Sequence, residues 1–457
     1  MNKSIRISAF AAAAALGWAA PAQAQSASGA EALRAEMTAM REQMAAMAAK
    51  IDALEGELDA TQVKAEQATL AATSATQAAA TASEARSDVK VAELKGSGGW
   101  SFKPFGRLMI DAGTVNAPDS IADPGLGFAN EIRRARIGVA GDIGGGFGYK
   151  TEIELADNVT EITDAIITYD DGGATITVGQ HNNFQSLEEL TSSRFISFME
   201  RAAFTDAFGF ARRVGLSGQY TSGDATIQAG VFTDNIDDLS SDENNSYSLD
   251  GRLVFAPEMG DTQLHFGASA HYRDLNDAAT SVRYRQRPSV HFTDTRFIDT
   301  RNIGATGETG LGLEGAVIAG PFHAQAEGYW QTVNRPGLEN PTFFGGAVEA
   351  GVYLTKGDTR GYKGNKFDRN KPKNPVGSGG MGAVQLNVRY DYLDLVDAGI
   401  VGGIQNAYAA SLVWSPTANT RFTANYTRNE YDMANIAAGL DRNYNVDAFA
   451  VRAGFDF

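Results

Sequence analysis

The chain contains no cysteine. A disulfide framework, thiolate metal ligands and a cysteine nucleophile are therefore excluded. Proline (12) and tryptophan (four) are sparse in 457 residues, and beyond residue 24 there is no run long and apolar enough for a membrane-crossing helix. Positive charge is also scarce: 39 Lys and Arg stand against 55 Asp and Glu, a formal charge of -16 that argues against free nucleic acid as a partner. Catalytic signatures are missing too. The histidines, His181, His265, His271, His291 and His323, lack metal-ligand spacing, and there is no G-x-S-x-G or phosphate-cradling loop. No enzyme, cofactor or metal is expected. What abounds is glycine (50), phenylalanine (24) and tyrosine (15), a mix that favours strands and turns.

Three segments differ in character. Residues 1–24 carry Lys3 and Arg6, then an apolar stretch from Ile7 to Leu16, then Ala22-Gln23-Ala24, the three-part pattern of a secretory signal. Residues 25–96 are rich in Ala, Glu, Gln, Met and Thr. Leu33, Met37, Met40, Met44, Met47, Ile51, Leu54 and Leu58 follow steps of four and three, so a coiled-coil stalk with partner helices is expected. The alternative is a single solvated helix or a disordered Ala-rich linker, and it gains weight beyond Leu58, where the seam is mostly alanine and buries little area. Gly96-Ser97-Gly98-Gly99 reads as a hinge.

From residue 97 to the end the apolar period is two. In Phe147–Leu155, Phe147, Tyr149, Thr151, Ile153 and Leu155 share one face and Lys150, Glu152 and Glu154 the other. Sixteen such strands can be counted, near 102–113, 130–141, 147–156, 162–170, 173–180, 211–220, 224–233, 247–256, 262–272, 309–318, 322–332, 343–354, 380–392, 404–414, 419–429 and 446–457. Tight turns such as Asp170–Gly173 and Ala319–Pro321 alternate with long loops such as 181–210 and 273–308. Short turns on one rim, long loops on the other and an even strand count predict an all-β transmembrane barrel of about 16 antiparallel strands in the outer membrane, with the stalk in the periplasm. The last strand ends with Phe449, Val451, Ala453, Phe455 and the terminal Phe457 on one face, which resembles the assembly signal of such barrels.

A barrel of this size holds an aqueous lumen, narrowed by whatever folds into it. The candidate lining groups are Arg134 and Arg136 on an early strand, with Arg133 nearer the rim. Arg194 and Arg201 lie in loop 181–210. Arg283, Arg285 and Arg287 would line up at about 6.6 Å intervals, and Lys363, Lys366, Arg369 and Lys371 lie in a basic segment on the short-turn side. Set against an anion path, residues 97–457 sum to -14. Selectivity follows the charge at the constriction, not the total, because exposed charges are screened beyond about 10 Å at 0.1 M salt.

Several blocks, in order, resemble the phosphate-selective porin O and P family: Arg133-Arg-Ala-Arg-Ile-Gly138, Tyr149-Lys-Thr-Glu152, Thr177-Val-Gly-Gln180, Ser186-Leu-Glu-Glu-Leu-Thr-Ser-Ser-Arg194, Phe198-Met-Glu-Arg201, Tyr284-Arg-Gln-Arg-Pro288 and Phe367-Asp-Arg-Asn-Lys-Pro-Lys373. The resemblance implies a trimeric sixteen-stranded porin whose channel is narrowed by 181–210, 273–308 and 355–379, with a ladder of arginines guiding phosphate or other anions. One departure is His181-Asn-Asn-Phe-Gln-Ser186, where the family has Phe-Lys-Glu-Pro-Phe-Ser. The expected function is an outer-membrane porin, a water-filled channel for small hydrophilic solutes, possible anions such as phosphate among them. Its expected partners are two further copies of the chain, outer-membrane lipid, small ions and, through the stalk, the cell wall. The alternative is a structural tether or adhesin with a plugged barrel.

Overall fold

The computed structural model describes residues 93–96 and 98–457, apart from 157–158, 239–244 and 277–278. Further upstream it describes Thr38, Arg41, Ala45, Ala46 and Lys50, all helical and exposed. The signal segment and the heptad seam lie outside the described residues.

Sixteen long strands form the wall: β1 Ser101–Asn116, β2 Gly127–Gly144, β3 Phe147–Glu154, β4 Glu161–Asp170, β5 Ala174–Asn182, β6 Arg212–Ser222, β7 Ala225–Phe232, β8 Tyr247–Phe255, β9 Thr262–Asp274, β10 Gly307–Ala319, β11 Phe322–Asn334, β12 Thr342–Tyr353, β13 Ala383–Asp397, β14 Ile400–Ser415, β15 Thr420–Asp432 and β16 Tyr444–Asp456. Each pairs antiparallel with its chain neighbours, and β16 closes on β1 from Arg107↔Asp456 to Asn116↔Asp447. All sixteen expected strands are present. Closure leaves no long edge unpaired. Beyond the last rung, the Phe457 amide and carbonyl pair with Gly106, and a Cβ at Gly106 would lie 2.7 Å from the Phe457 ring, so the seam requires glycine there. Before the segment expected as a hinge, a two-residue strand, Leu94–Lys95, pairs antiparallel with the start of β1.

The faces are inverted relative to a water-soluble sheet. Ile137 (54% exposed), Leu253 (57%) and Val348 (57%) point outward, while Glu152 and Gln405 (both 0%) are buried inward. Only hydrocarbon around the wall makes this arrangement favourable. The outward sets expected on β3 and β16 are outward here, Phe147 and Leu155 on the former, Phe449, Val451 and Phe455 on the latter.

Two strand ends differ most from expectation. The stretch 393–403, read as loop, is strand on both sides of a two-residue turn, Ala398-Gly399, in which both residues have positive φ. That is the geometry of a tight hairpin. Its apolar residues do not alternate cleanly, because the ladder slips between Asp394 and Val396.

Three connections turn into the lumen: 183–211 and 275–306 from the long-loop rim, and 354–382 from the opposite rim. The first carries α1 (Leu187–Leu190) and α2 (Ala203–Ala207). Phe204 and Phe208 of this loop pack with Tyr284, Tyr329, Phe343 and Leu393 into a hydrophobic core inside the barrel. Each such side chain contributes about 2 kcal/mol on burial. Two carboxylates, Glu327 half-buried and Asp391 buried, hold the same loop. Glu327 on β11 accepts the amides of Leu187 (2.9 Å) and Glu188 (2.8 Å), and Asp391 on β13 accepts that of Ala203 (2.8 Å). The loops therefore crowd one side of the lumen and leave the β2–β8 side open.

Candidate functional site

The open side is built on a β-bulge. In the β1–β2 ladder Met109 faces Arg134 and Ile110 faces Ile132, so Arg133 is the extra residue. A bulge reverses the inside-outside parity of the strand beyond it. Ile132 and Ile137 therefore both face lipid, while Arg133, Arg134 and Arg136 all line the lumen. This corrects the expectation that Arg133 sits near the rim. The Ala135 amide left over at the bulge donates to Glu154 on β3 at 2.7 Å.

Ladder register then sets cations beside carboxylates. Arg107 and Arg136 lie on one rung with Glu154, and Glu152 is on the same face two residues earlier in the chain. Arg107 meets Glu152 at 2.5 Å, and Arg136 meets Glu154 at 2.7 Å and Glu152 at 3.3 Å; Arg134 reaches Glu154 at 3.4 Å. Lys150 and Arg212 share Asp164 at 2.5 and 2.9 Å. Across the lumen, loop 183–211 supplies Glu200, which takes two bonds from Arg133 at 2.9 Å and one from Arg452 at 2.8 Å. Burial acts to raise the Glu200 pKa, yet Arg133 and Arg452 outweigh it and hold the carboxyl well below its usual range. Arg201 turns back to the carbonyls of Glu188, Glu189 and Thr191, closing the end of α1.

These walls enclose a cavity of about 650 Å³ lined by eleven Lys and Arg side chains and five Asp and Glu side chains. Towards the long-loop rim it adjoins a second cavity of about 480 Å³, with Asp206, Gly209 and Arg287 shared by both linings. Arg283, Arg285 and Arg287 all line this outer cavity and alternate in the chain with the buried Tyr284 and Gln286. Arg283 is paired with Asp299, and Arg287 with Asp294 at 2.9 Å. Arg285 has no carboxylate within 4.0 Å among the described residues. From the other rim Lys366 enters the central cavity and likewise has no carboxylate partner among the described residues. The surrounding protein, then the Arg252 and Lys150 charges, push the Lys366 pKa below the usual lysine range.

The other candidates are dispersed. Arg194 lines the central cavity and joins Arg369 on Asp456, with both guanidinium groups near the Phe195 ring at 4.9 and 5.2 Å. Lys363 and Lys371 are exposed and line neither cavity. Arg107, Lys150, Arg212 and Arg252 line the central cavity without having been singled out, although Lys150 was legible on the polar face of its strand. The cavity is less positive than its lining suggests. Ten of its eleven cations sit within 4.0 Å of a carboxylate, and Lys366 is the exception.

Comparison with known proteins agrees with this architecture. The family described as Phosphate-selective porin O and P matches residues 102–457. A Caulobacter vibrioides protein, described only as uncharacterized, is 50% identical over 372 residues, 79% of this chain and 75% of its own length. Porin O of Pseudomonas aeruginosa is 28% identical over 343 residues, 66% of this chain and 74% of its own. Among solved structures, outer-membrane expressed OmpT of Vibrio cholerae aligns with a TM-score of 0.52 at 12% identity, covering 80% of this chain and 100% of that one, and so shares the barrel fold.

Proposed function

The chain belongs to the phosphate-selective porin O and P family and is an outer-membrane porin, and from that premise we propose that its channel favours small anions such as phosphate. The observation that carries this reading is the pair of adjoining basic cavities inside a barrel segment whose net charge is -14. Carboxylate partners neutralise most of the lining, so the attraction comes chiefly from Arg285 in the outer cavity and Lys366 in the central one. Arg283, Arg287, Arg134, Arg136, Arg194 and Arg201 supply donors along the path, while Arg369, held on Asp456, lines neither of the two cavities. An anion moves by exchanging one set of donors for the next, as conduction through several weak sites requires. Lys363 and Lys371 lie outside this path. Reversal potential across planar bilayers in a salt gradient tests the proposal: changing both Arg285 and Lys366 to Gln should move it toward cation preference, and an unmoved potential removes the assignment.

Three chains assemble in this reading, and the seam from Leu33 to Leu58 forms a coiled-coil stalk in the periplasm that reaches toward the cell wall. Deleting residues 30–95 should lower oligomer stability or wall retention while conductance survives. The second reading, a tether or adhesin with a plugged barrel, draws on the aromatic core that loops 183–211 and 275–306 build inside the wall. Steady single-channel current supports the pore and a silent barrel supports the plug.

A further inference from the structure

At the short-turn end of the lumen, loop 183–211 meets segment 354–382 against β12–β16. They enclose a third cavity, about 50 Å³, behind Phe195 and Phe198. Five arginines line it, with Asp368 and Asp456. Three of the five are neutralised locally. Arg194 and Arg369 share Asp456, and Arg452 is held by Asp111 at 2.7 Å and Glu200 at 2.8 Å.

The remaining two are not. Arg360 is 6% exposed; its Nη1 donates to Ser197 Oγ at 2.7 Å and its guanidinium lies 4.5 Å from the Phe367 ring, but its buried Nε has no acceptor among the described residues. Arg421 donates to the carbonyls of Arg194 (2.8 Å) and Ile196, and its Nε is likewise buried without an acceptor. Among the described residues neither has a carboxylate within 4.0 Å. Glu349, on the neighbouring stretch of β12, accepts from Gln325 and does not line the cavity. Asp368 lines this cavity and the central one, so its charge is shared with the open lumen.

A guanidinium does not shed its proton in a protein, so a buried charge at Arg360, a half-buried one at Arg421 and their two orphaned Nε donors stand at one small cavity. Buried charges are normally paired and buried donors normally satisfied. The space suits a few water molecules or one small inorganic anion, and excludes an organic solute. We propose that it holds a resident anion of the phosphate, sulfate or chloride kind, seated between Arg360 and Arg421. The anion is a fastener and not the transported solute. Arg360 belongs to the segment from the short-turn rim, Arg421 holds the carbonyls of the loop from the long-loop rim, and a shared anion ties the two constricting elements together. Ser197, which accepts from Arg360 and, through its carbonyl, from Ser411 at 2.7 Å, marks the same junction.

The test uses the full-length protein in detergent, exchanged into gluconate at constant ionic strength and titrated separately with phosphate, sulfate and chloride while thermal unfolding is followed. A melting temperature that rises and saturates with at least one of these anions is expected, and the arm that saturates names the anion. Arg360→Gln and Arg421→Gln should each weaken half-saturation about tenfold or more, and should melt higher than the parent protein in gluconate because an unpaired charge is gone. Should either variant fail to assemble, Arg421→Lys keeps the charge, loses the forked donor set and should show the same weakening. Lys366→Gln should shift the reversal potential yet keep the anion-dependent melting. Loss of that potential shift counts against the transport reading alone. Melting that ignores all three anions, or titration midpoints unchanged in the arginine variants, overturns the resident anion.

Discussion

Phe204→Ala is the most direct probe of how loop 183–211 is held in the lumen. Phe204 is 1% exposed and packs against Phe210 and Tyr329, with ring centroids at 5.9 and 6.3 Å. The fit is tight enough that a Cβ on Gly345 of β12 would fall 2.4 Å from the Phe204 Cβ. A buried phenylalanine removes about 150–250 Å² from water, and truncating one to alanine costs about 3–5 kcal/mol. The lower figure is already a factor of about 150 in the ratio of docked to undocked loop. The barrel wall does not depend on this contact, because its ladders are complete without it, so the change should appear in gating rather than in assembly. Single-channel recordings should show more frequent excursions to higher conductance, and limited proteolysis should cut loop 183–211 faster. Wild-type conductance, dwell times and cleavage rates would refute the claim that the aromatic core sets the constriction. The amide bonds to Glu327 and Asp391 would then be the main restraint.

Three further predictions concern the wall and the lumen. Glu152→Gln should leave Arg107 and Arg136 short of a charge partner and move the reversal potential toward anion preference, whereas an unchanged potential would mean that this pair is remote from the ion path. The lowered pKa of Lys366 has a definite sign: its ammonium is charged at lower pH and is neutralised as pH rises through a value below that of ordinary lysines. Anion preference should therefore fall on alkalinisation, and the Lys366→Gln variant should lack that component. Gly106→Ala places a methyl 2.7 Å from the Phe457 ring and 2.9 Å from the Arg136 carbonyl, so closure of β1 on β16 should weaken by about 1–3 kcal/mol, measurable as a lower urea midpoint in detergent.

Much of the wall is legible in the chain because it rests on a local rule. Residues two apart share a face, so Phe147 to Leu155 and Phe449 to Phe457 declare an apolar side without reference to any neighbour. The rule fails where a partner strand intervenes. Arg133 reads as a rim residue until the unmatched rung beside Met109 turns it inward with Arg134, and nothing within residues 127–144 announces that bulge. Arg283, Arg285 and Arg287 line one cavity, yet Asp299 pairs with the first and Asp294 with the last, and Arg285 has no carboxylate partner among the described residues. In the basic segment, composition offers Lys363, Lys366 and Lys371 as equals. The fold sets Lys366 in the wall of the central cavity and leaves the other two out of it.

The chain alone determines that the strands carry one apolar face, that an even count of sixteen brings both ends of the barrel to the same rim, and that there is no thiol. These are properties of alternation, count and composition, which local order expresses directly. The charge that a solute would meet is decided only by the tertiary structure. Ion pairs join residues as distant in the chain as Asp111 and Arg452, 341 positions apart, and convert a lining rich in cations into one in which, among the described residues, Lys366 and Arg285 have no partner carboxylate. Coulomb energy depends on which groups stand within a few ångströms of one another, and that proximity is created by closure of the barrel and the infolding of its loops.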